Sequence, residues 1–340
     1  MNINEVTRDD WLRAIFPEWG TWLVEEIESE EVPRGNFSMW WLSCMGVWLK
    51  TEGSTNVAID FWVGTGKRTH PTTPMSTTHQ YYKMCRSRIT QPNLRLTAVP
   101  IDPFAVKNID AVLSTHCHSD HIDPYVAAAV LKNCPSAKFV GPRACVDVWR
   151  SWGVPEDRLI KVLPNDSITI GDVKITALES FDRTMELTEY PIAGVDDVTL
   201  DDKAVNYVLE TSGGVIYHAG DSHYADRFVE HGKKFSIDVA IGAYAHNPMG
   251  ITDKMTASDF LRMGESLGAK VLIPMHYDIW SNFQSDVREI EALYRLQAAR
   301  LGYKFHPYIW QLGGKYVYPL ERDKKYFNYE RGFPDAFEND

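Results

Sequence analysis

The stretch Thr115-His116-Cys117-His118-Ser119-Asp120-His121 carries three histidines and one aspartate directly after the apolar run 109–114. A strand that ends in such a turn sends His116 and His118 to one side and Asp120 and His121 around the bend. Imidazole and carboxylate together suit a borderline or hard divalent ion such as zinc, manganese or iron. With 11 histidines in 340 residues, a chance cluster in a polar surface loop is a poor explanation. The heptad therefore predicts a metal site.

Two later strand-like runs each end in a residue that could complete this site. Asp221 follows the run 215–220, where Gly220 lets the backbone turn closely, and His276 follows the run 271–275. A polar side chain at the end of a buried strand is typical of active sites in layered α/β proteins. Taken alone, Asp221 could be a helix N-cap and His276 a core histidine. Beside the heptad, both are predicted ligands.

Short apolar runs typical of strands alternate with helical patterns along most of the chain. Strands are predicted at 57–60, 111–114, 138–141, 173–178, 205–210, 215–218, 239–244, 271–275 and 308–311. Helices are predicted at 125–133, 144–152, 260–267 and 286–301. Mixed sheets with helices on their outer faces would bury these elements in layers. The polar, basic stretch from about 64 to 100 has no clear periodicity and fits a lid, an oligomer contact or a long surface loop.

Composition limits the classes of function. The net charge of −11 argues against a general nucleic-acid surface, which needs excess lysine and arginine. No apolar stretch approaches the roughly 20 residues that span a bilayer, and Met1–Glu5 lacks the pattern of a signal peptide. The five cysteines are irregularly spaced and are expected to be free thiols in a reducing compartment, which predicts a cytoplasmic protein. Trp40, Trp41 and Trp48 lie among apolar residues and are predicted core.

The pattern His116-x-His118-x-Asp120-His121, followed by Gly220-Asp221 and a late His276, resembles the metallo-β-lactamase superfamily over roughly residues 40–277. The resemblance implies an α/β protein with the four-layer αββα sandwich and metals at the sheet edges. It implies that His116 and His118 hold one ion, that Asp120, His121 and His276 hold the other, and that Asp221 bridges them.

One departure from the superfamily pattern concerns the first ion. The superfamily usually supplies another histidine before the Gly-Asp strand, but this chain has none between His121 and His218. The corresponding strand end contains Asp182, which we predict to be the substitute ligand. A carboxylate here would shift the preference from zinc toward manganese or magnesium. The alternative is that Asp182 pairs with Arg183 or caps a turn and the first site is weak or empty.

Longer strings resemble the L-ascorbate-6-phosphate lactonase family over nearly the whole chain. They are Phe16–Gly20, Met39–Leu42, Asp60–Trp62, Phe181–Thr184, Gly220–Tyr224, Gly250–Met255, His276–Phe283, Ile309–Lys315 and Arg331–Phe333. The resemblance implies a lactonase that opens L-ascorbate 6-phosphate to 3-keto-L-gulonate 6-phosphate and that uses manganese, with zinc as an alternative and one or two ions bound. It also implies a homo-oligomer. We expect one domain over residues 1–340, with a basic insertion at about 64–100 and a C-terminal extension at about 304–340.

This reaction assigns roles to further residues. A water molecule activated by the ion would attack the lactone carbonyl. Asp120 would orient this nucleophile or accept its proton, and His223 would donate to the oxyanion or to the leaving alcohol. His218 is predicted to be a core or supporting residue.

The phosphate of the substrate requires cations. Arg183 and Lys254 are the leading candidates, and Arg86 and Arg88 of the basic insertion are weaker ones.

Two other functions compete with the lactonase. One is a phosphodiesterase or nuclease on the same metal scaffold, against which the acidic charge counts. The other is a non-catalytic metal-binding regulator.

Overall fold

The computed structural model describes residues 23–64, 74–86, 88, 94–245, 253–281 and 284–328. Within these ranges the chain forms two seven-stranded mixed sheets. The first contains β1 (Phe37–Ser43), β2 (Gly46–Thr51), β3 (Asn56–Ile59), β4 (Ala111–Leu113), β5 (Lys138–Gly141), β6 (Leu159–Lys161) and β14 (Lys315–Tyr318). The second contains β7 (Ser167–Ile170), β8 (Val173–Glu179), β9 (Val205–Thr211), β10 (Gly214–His218), β11 (Val239–Ala243), β12 (Val271–Met275) and β13 (His306–Pro307).

The helices are α1 (residues 23–29), α2 (Gln80–Cys85), α3 (Pro124–Asn133), α4 (Arg143–Ser151), α5 (Arg183–Leu187), α6 (Phe228–Lys234), α7 (Ala257–Leu267) and α8 (Arg288–Leu301). Their ends follow local chemistry. The Asp123 carboxylate accepts from the first backbone N–H groups of α3, and Gly268 and Gly302 end α7 and α8 in the left-handed conformation. None of the described helices has the length and apolar character that crossing a lipid bilayer requires.

The side chains of β1 alternate between two apolar clusters, as a two-sided strand requires. Phe37, Met39 and Trp41 join the core between the sheets, together with residues of β8 and β9. Trp40 and Leu42 face the other way, against residues of α1, α3 and α4. On the second sheet, α7 adds its apolar face to the main core. The predicted four-layer αββα arrangement is confirmed, and so is the packing role of Trp40, Trp41 and Trp48.

The two sheets have similar strand orders, and the parallel strands of both end at one common edge. The order of the first sheet is β14-β1-β2-β3-β4-β5-β6, and that of the second is β13-β12-β11-β10-β9-β8-β7. The strands from β3 to β6 run parallel, and so do those from β10 to β13. Parallel strands end at the same edge of a sheet, so the residues that follow β3, β4, β10 and β12 can collect there.

One predicted strand differs from the observed structure. The predicted strand at 308–311 is wrong, because the ladder with β12 ends at His306–Pro307 and Ile309 forms an isolated bridge to Tyr326. The basic stretch at about 64–100 contains α2, and Lys83 Nζ in this helix donates to Leu187 O, 2.9 Å away, at the end of α5. Residues 16–20, 250–252, 282–283 and 331–333 of the lactonase-like strings lie outside the described residues.

Candidate metal centre

The turn after β4 aims two imidazole nitrogens at one point. His116 Nε2 lies 3.0 Å from His118 Nδ1. The turn is anchored by Thr115, whose N–H and Oγ1 donate to the carboxylate of Asp60 at 2.7 and 2.8 Å. Thr115 Oγ1 is also 3.1 Å from His116 Nδ1. The Nε2 atom of His116 is thereby presented to the cluster.

Around the bend, Asp120 and His121 meet His276, which follows β12 on the other sheet. His121 Nε2 is 3.8 Å from Asp120 Oδ1, and His276 Nε2 is 3.4 Å from Asp120 Oδ2. The indole N–H of Trp280 donates to the same Oδ2 over 3.1 Å and orients the carboxylate. The three side chains form a second group of potential ligands beside the first.

Asp221, which follows β10, lies between the two groups. Its Oδ2 is 3.3 Å from His121 Nε2, 3.7 Å from His276 Nε2 and 3.9 Å from His116 Nε2. The preceding Gly220 has φ +50°, and a Cβ at this position would approach Thr115 to 2.9 Å. Glycine is therefore required for β10 to deliver Asp221 this close to the turn after β4.

Asp182 caps a helix with one carboxylate oxygen and faces His116 with the other. Its Oδ1 caps α5 by accepting from Met185 N at 2.9 Å, so the predicted turn cap is confirmed. Its buried Oδ2 lies 3.9 Å from His116 Nε2 and has no hydrogen-bond partner among the described residues. Burial, followed by the negative charge of Asp221, raises the pKa of Asp182 to about 7. The charge of Lys254 lowers this pKa but does not offset these two effects, and no hydrogen bond in the described chain stabilises Oδ2.

These residues fit a divalent cation. Four of the five buried predicted ligands have polar atoms without a hydrogen-bond partner in the described chain: His121 Nε2, Asp182 Oδ2, Asp221 Oδ1 and both ring nitrogens of His276. Leaving such atoms unpaired is costly unless something outside the protein satisfies them. One set of ligand atoms, from His116, His121 and Asp221, lies within 4.8 Å of one another, and so does a second set from Cys44, Asp120, His121 and His276. Imidazoles and carboxylates are the donors that such ions bind.

The centre is dominated by negative charge. Burial works against protonation of His121, but Asp221, Asp60 and Asp120 outweigh it and raise the pKa of this imidazole well above its ordinary value.

Lys254 Nζ donates to Asp221 Oδ2 over 2.5 Å and is 3.2 Å from Asp253 Oδ2. Burial opposes its charge, yet these two carboxylates raise the pKa of Lys254 well above the usual value. Lys254 is thus a charged, buried partner of the central aspartate.

Sequence reasoning missed two residues at the centre. Asp60 Oδ2 lies 2.9 Å from His121 Nδ1, so Asp60 orients a predicted ligand from behind. The sequence did contain an indication that Asp60 belongs to the site, since Asp60 ends the strand-like run 57–60 and begins one of the lactonase-like strings. Cys44 Sγ lies 3.8 Å from Asp120 Oδ2. Nothing in the spacing of the cysteines indicated this position.

His223 and His218 occupy different environments. His223 is 5% exposed, and its Nδ1 accepts from Arg183 N at 3.3 Å, which leaves the proton of the neutral ring on Nε2. His218 is fully buried, and its Nε2 lies 2.9 Å from Met45 O while Gly220 N donates to its Nδ1. His218 is therefore a core residue, as predicted.

The predicted phosphate-binding cations differ in their surroundings. Arg183 is exposed at the first position of α5, next to Asp182 and His223. Lys254 is 6% exposed and pairs with Asp221 and Asp253. Arg86 ends α2 with its guanidinium 5.7 Å from the ring of Tyr82, and Arg88 Nε donates to Met75 O.

Comparison with known proteins identifies the fold. The family model described as the beta-lactamase superfamily domain matches residues 81–277. The structure resembles Igni18, a metallo hydrolase from Ignicoccus hospitalis, with a TM-score of 0.56, 15% identity, and coverage of 87% of this chain and 100% of that chain. It also resembles an isothiocyanate hydrolase from Delia radicum gut bacteria, with a TM-score of 0.59, 18% identity, and coverage of 82% and 98%. At these identities the two structures support the fold alone.

A comparison of sequences is more specific. The chain is 52% identical over 339 residues to the probable L-ascorbate-6-phosphate lactonase UlaG of Escherichia coli strain SMS-3-5, covering 98% of this chain and 96% of that protein. The protein therefore belongs to the beta-lactamase superfamily and, within it, to the L-ascorbate-6-phosphate lactonase family. It is a metal-dependent hydrolase of that family.

Proposed function

We propose that this protein hydrolyses the lactone ring of L-ascorbate 6-phosphate to give 3-keto-L-gulonate 6-phosphate. The observation that carries the proposal is the 52% identity with a lactonase of that name over 98% of the chain. The superfamily fold alone would leave the substrate open, because related enzymes change substrate while keeping the metal motifs.

Two groups of residues would hold the metal. His116, His118 and Asp182 would hold one ion, and Asp120, His121 and His276 the other, with Asp221 shared between them. The distances of 3.3–3.9 Å from Asp221 Oδ2 to three imidazoles support its shared position. A bound divalent ion lowers the pKa of a water molecule and polarises a carbonyl group.

Hydrolysis adds the oxygen of water to the lactone carbonyl carbon, breaks the ring C–O bond and delivers a proton to the departing ring oxygen. Asp120 would orient the attacking water. Its Oδ2 is held by the indole N–H of Trp280, so the carboxylate has a fixed direction. His223 would supply the proton, because the hydrogen bond from Arg183 N leaves its N–H on Nε2.

The phosphate group would bind at the exposed start of α5. Arg183 lies there, one residue from Asp182, and can reach an anion without leaving a buried ion pair. Lys254 is already paired with Asp221 and Asp253, so we assign it mainly to holding Asp221 in place. Arg86 and Arg88 stay weaker candidates, because their described contacts lie within their own segment.

Manganese is the proposed native metal, with zinc as the alternative. The carboxylate of Asp182 stands where the superfamily usually has an imidazole, and a harder donor set favours manganese over zinc. We propose two ions, because two groups of ligand atoms lie side by side and share His121. The five free cysteines fit a reducing compartment, so we also propose a cytoplasmic location. A homo-oligomer is proposed from the family resemblance, and native mass spectrometry tests it.

The test is an assay of the purified protein under each divalent ion. L-ascorbate 6-phosphate should be hydrolysed fastest with manganese, and the unphosphorylated lactone much more slowly. A nitrophenyl phosphodiester and single-stranded RNA, offered under the same conditions, separate the lactonase from a phosphodiesterase or nuclease. Faster cleavage of either phosphodiester than of the lactone would overturn the proposal. An Asp120→Asn protein that keeps full biological activity would favour a non-catalytic regulator.

A further inference from the structure

Cys44 lies fully buried in the turn between β1 and β2, beside Asp120, His121 and His276. Its Sγ is 3.8 Å from Asp120 Oδ2. One ligand atom from each of the four residues lies within 4.8 Å of those of the others. A zinc-like ion forms bonds of about 2.0 to 2.3 Å to nitrogen, oxygen and sulfur, so an ion fits among four atoms spaced in this way.

The turn is held so that the cysteine side chain faces the centre. Ser43 and Cys44 have φ values of 89° and 51°, which side-chain-bearing residues rarely adopt. The indole N–H of Trp41 donates to Cys44 O over 3.0 Å, and His218 Nε2 lies 2.9 Å from Met45 O. Hydrogen bonds from these two buried side chains therefore fix the backbone carbonyls of Cys44 and Met45.

An independent observation points to a ligand in this half of the centre. His276 is 1% exposed, and both of its ring nitrogens lack a hydrogen-bond partner in the described chain. His121 Nε2, also buried, is unpaired in the same way. One ligand atom of each histidine lies within 4.8 Å of Cys44 Sγ, and Cys44 packs in an apolar cluster with Trp62 and Trp280. A cation bound in this half would satisfy His121 Nε2 and His276 Nε2, the His276 nitrogen that lies 3.4 Å from Asp120 Oδ2.

We propose that Cys44 Sγ is a ligand of the ion held by Asp120, His121 and His276. The inference rests on the proposed function for the presence of the metal, and it deepens that function by adding a donor. Binding replaces the S–H bond with a sulfur–metal bond and releases the thiol proton to solvent. Because sulfur is a soft donor, zinc, cobalt or iron would compete with the proposed manganese in this half of the centre, whereas the half with Asp182 favours the harder ion.

The experiment uses full-length protein stripped with a chelator and reloaded with cobalt(II). Wild-type protein should show a sulfur-to-cobalt charge-transfer band in the near ultraviolet. Cys44→Ala and Cys44→Ser should lose the band and bind the ion at least about tenfold more weakly. Cys134→Ala is the matched control, because Cys134 is also buried and free but ends α3, and it should keep the band. The serine variant can still donate a hydrogen bond to Asp120, so it separates ligation from hydrogen bonding.

A second measurement does not depend on any variant folding. X-ray absorption of the zinc-loaded wild-type protein should contain a sulfur scatterer at about 2.3 Å. Bound metal without this scatterer and without the charge-transfer band would overturn the assignment, and so would failure to bind any ion. The outcome is separable from the lactonase assay. Lactone hydrolysis without sulfur ligation removes Cys44 alone, whereas sulfur ligation without lactone hydrolysis removes the proposed substrate and leaves Cys44 a ligand.

Discussion

Asp60 Oδ2 lies 2.9 Å from Nδ1 of His121, on the side of the imidazole opposite the metal cluster. The same carboxylate accepts from Thr115 N and Oγ1, so one buried aspartate at the end of β3 organises the turn after β4. Its negative charge fixes the Nδ1–H tautomer and leaves Nε2 of His121 available to an ion.

Asp60→Asn should weaken metal binding by about 10- to 100-fold, because the amide no longer holds the imidazole tautomer and basicity. Competition with a chromogenic chelator measures the affinity. Asp110→Asn is the control, since Asp110 caps the neighbouring backbone at Asn56 N and does not contact the cluster in the described residues. Unchanged affinity in the Asp60 variant would mean that the hydrogen bond does not support the site.

His121→Ala and Asp221→Asn should each abolish lactone turnover while leaving the fold largely intact. His121 Nε2 and Asp221 Oδ2 lie 3.3 Å apart at the middle of the centre, and each variant replaces one of these two predicted ligand groups. The loss should exceed the 10- to 100-fold expected for a supporting residue. Steady-state kinetics and circular dichroism measure the two effects. His306→Gln at the edge strand β13 should behave as wild type, and near wild-type turnover in either site variant would contradict the assignment.

Asp182 should reveal its two roles through two substitutions. Asparagine can still cap α5, so Asp182→Asn should keep stability and lose metal at the first position. Asp182→Ala should lose both and be less stable by about 1 kcal/mol. Metal content per chain and the free energy of unfolding in urea are the measurements. If Asp182→Asn keeps its full metal content, Asp182 is a helix cap and not a ligand.

Arg183→Ala should raise the KM for L-ascorbate 6-phosphate by about 10- to 100-fold, the value of a hydrogen bond to a charged group. The KM for the unphosphorylated lactone should change little. Arg227→Ala is the control, because Arg227 is an exposed arginine that bonds to Glu179. An equal effect of Arg183→Ala on both substrates would remove this residue from the phosphate role.

His231 should make the protein sensitive to acid. Burial, followed by the charges of Arg227 and Lys234, lowers the pKa of this imidazole from 6.5 to about 4, and its Nδ1 lies 2.8 Å from Tyr217 OH. The unfolded chain therefore binds a proton that the folded chain does not, so stability is lost as the pH falls from about 6.5 to about 4. Allowing for solvent screening, His231 accounts for about 2 kcal/mol of that loss.

Urea unfolding of wild type and His231→Gln at matched metal content tests this pH dependence. The wild-type protein should lose about 2 kcal/mol more than the variant between pH 7 and pH 4.5. Other buried histidines, such as His116, titrate in both proteins and cancel in the difference. Parallel stability curves would show that His231 is not responsible.

Local patterns predicted much of the fold. The helices at 124–133 and 257–267 were predicted to within a few residues because their caps and apolar spacing are local. The extended segments β1 and β2 were not predicted as strands, since they are buried on both faces and lack the alternation that marks a half-exposed strand. The prediction at 308–311 failed because an apolar run does not show where ladder pairing ends. The expectation of one domain with two added segments stays a prediction.

The sequence by itself determined the type of centre, because His116, His118, Asp120 and His121 crowd into one turn whose chemistry suits a divalent ion. It also predicted Asp182, Asp221 and His276 as the distant partners, since each follows a strand. Only the tertiary structure brought in Asp60 and Cys44, and only it paired Lys254, predicted from the sequence as a phosphate ligand, with Asp221. Their contacts join segments 33 to 76 residues apart along the chain, and such contacts depend on how the sheets stack rather than on any local spacing.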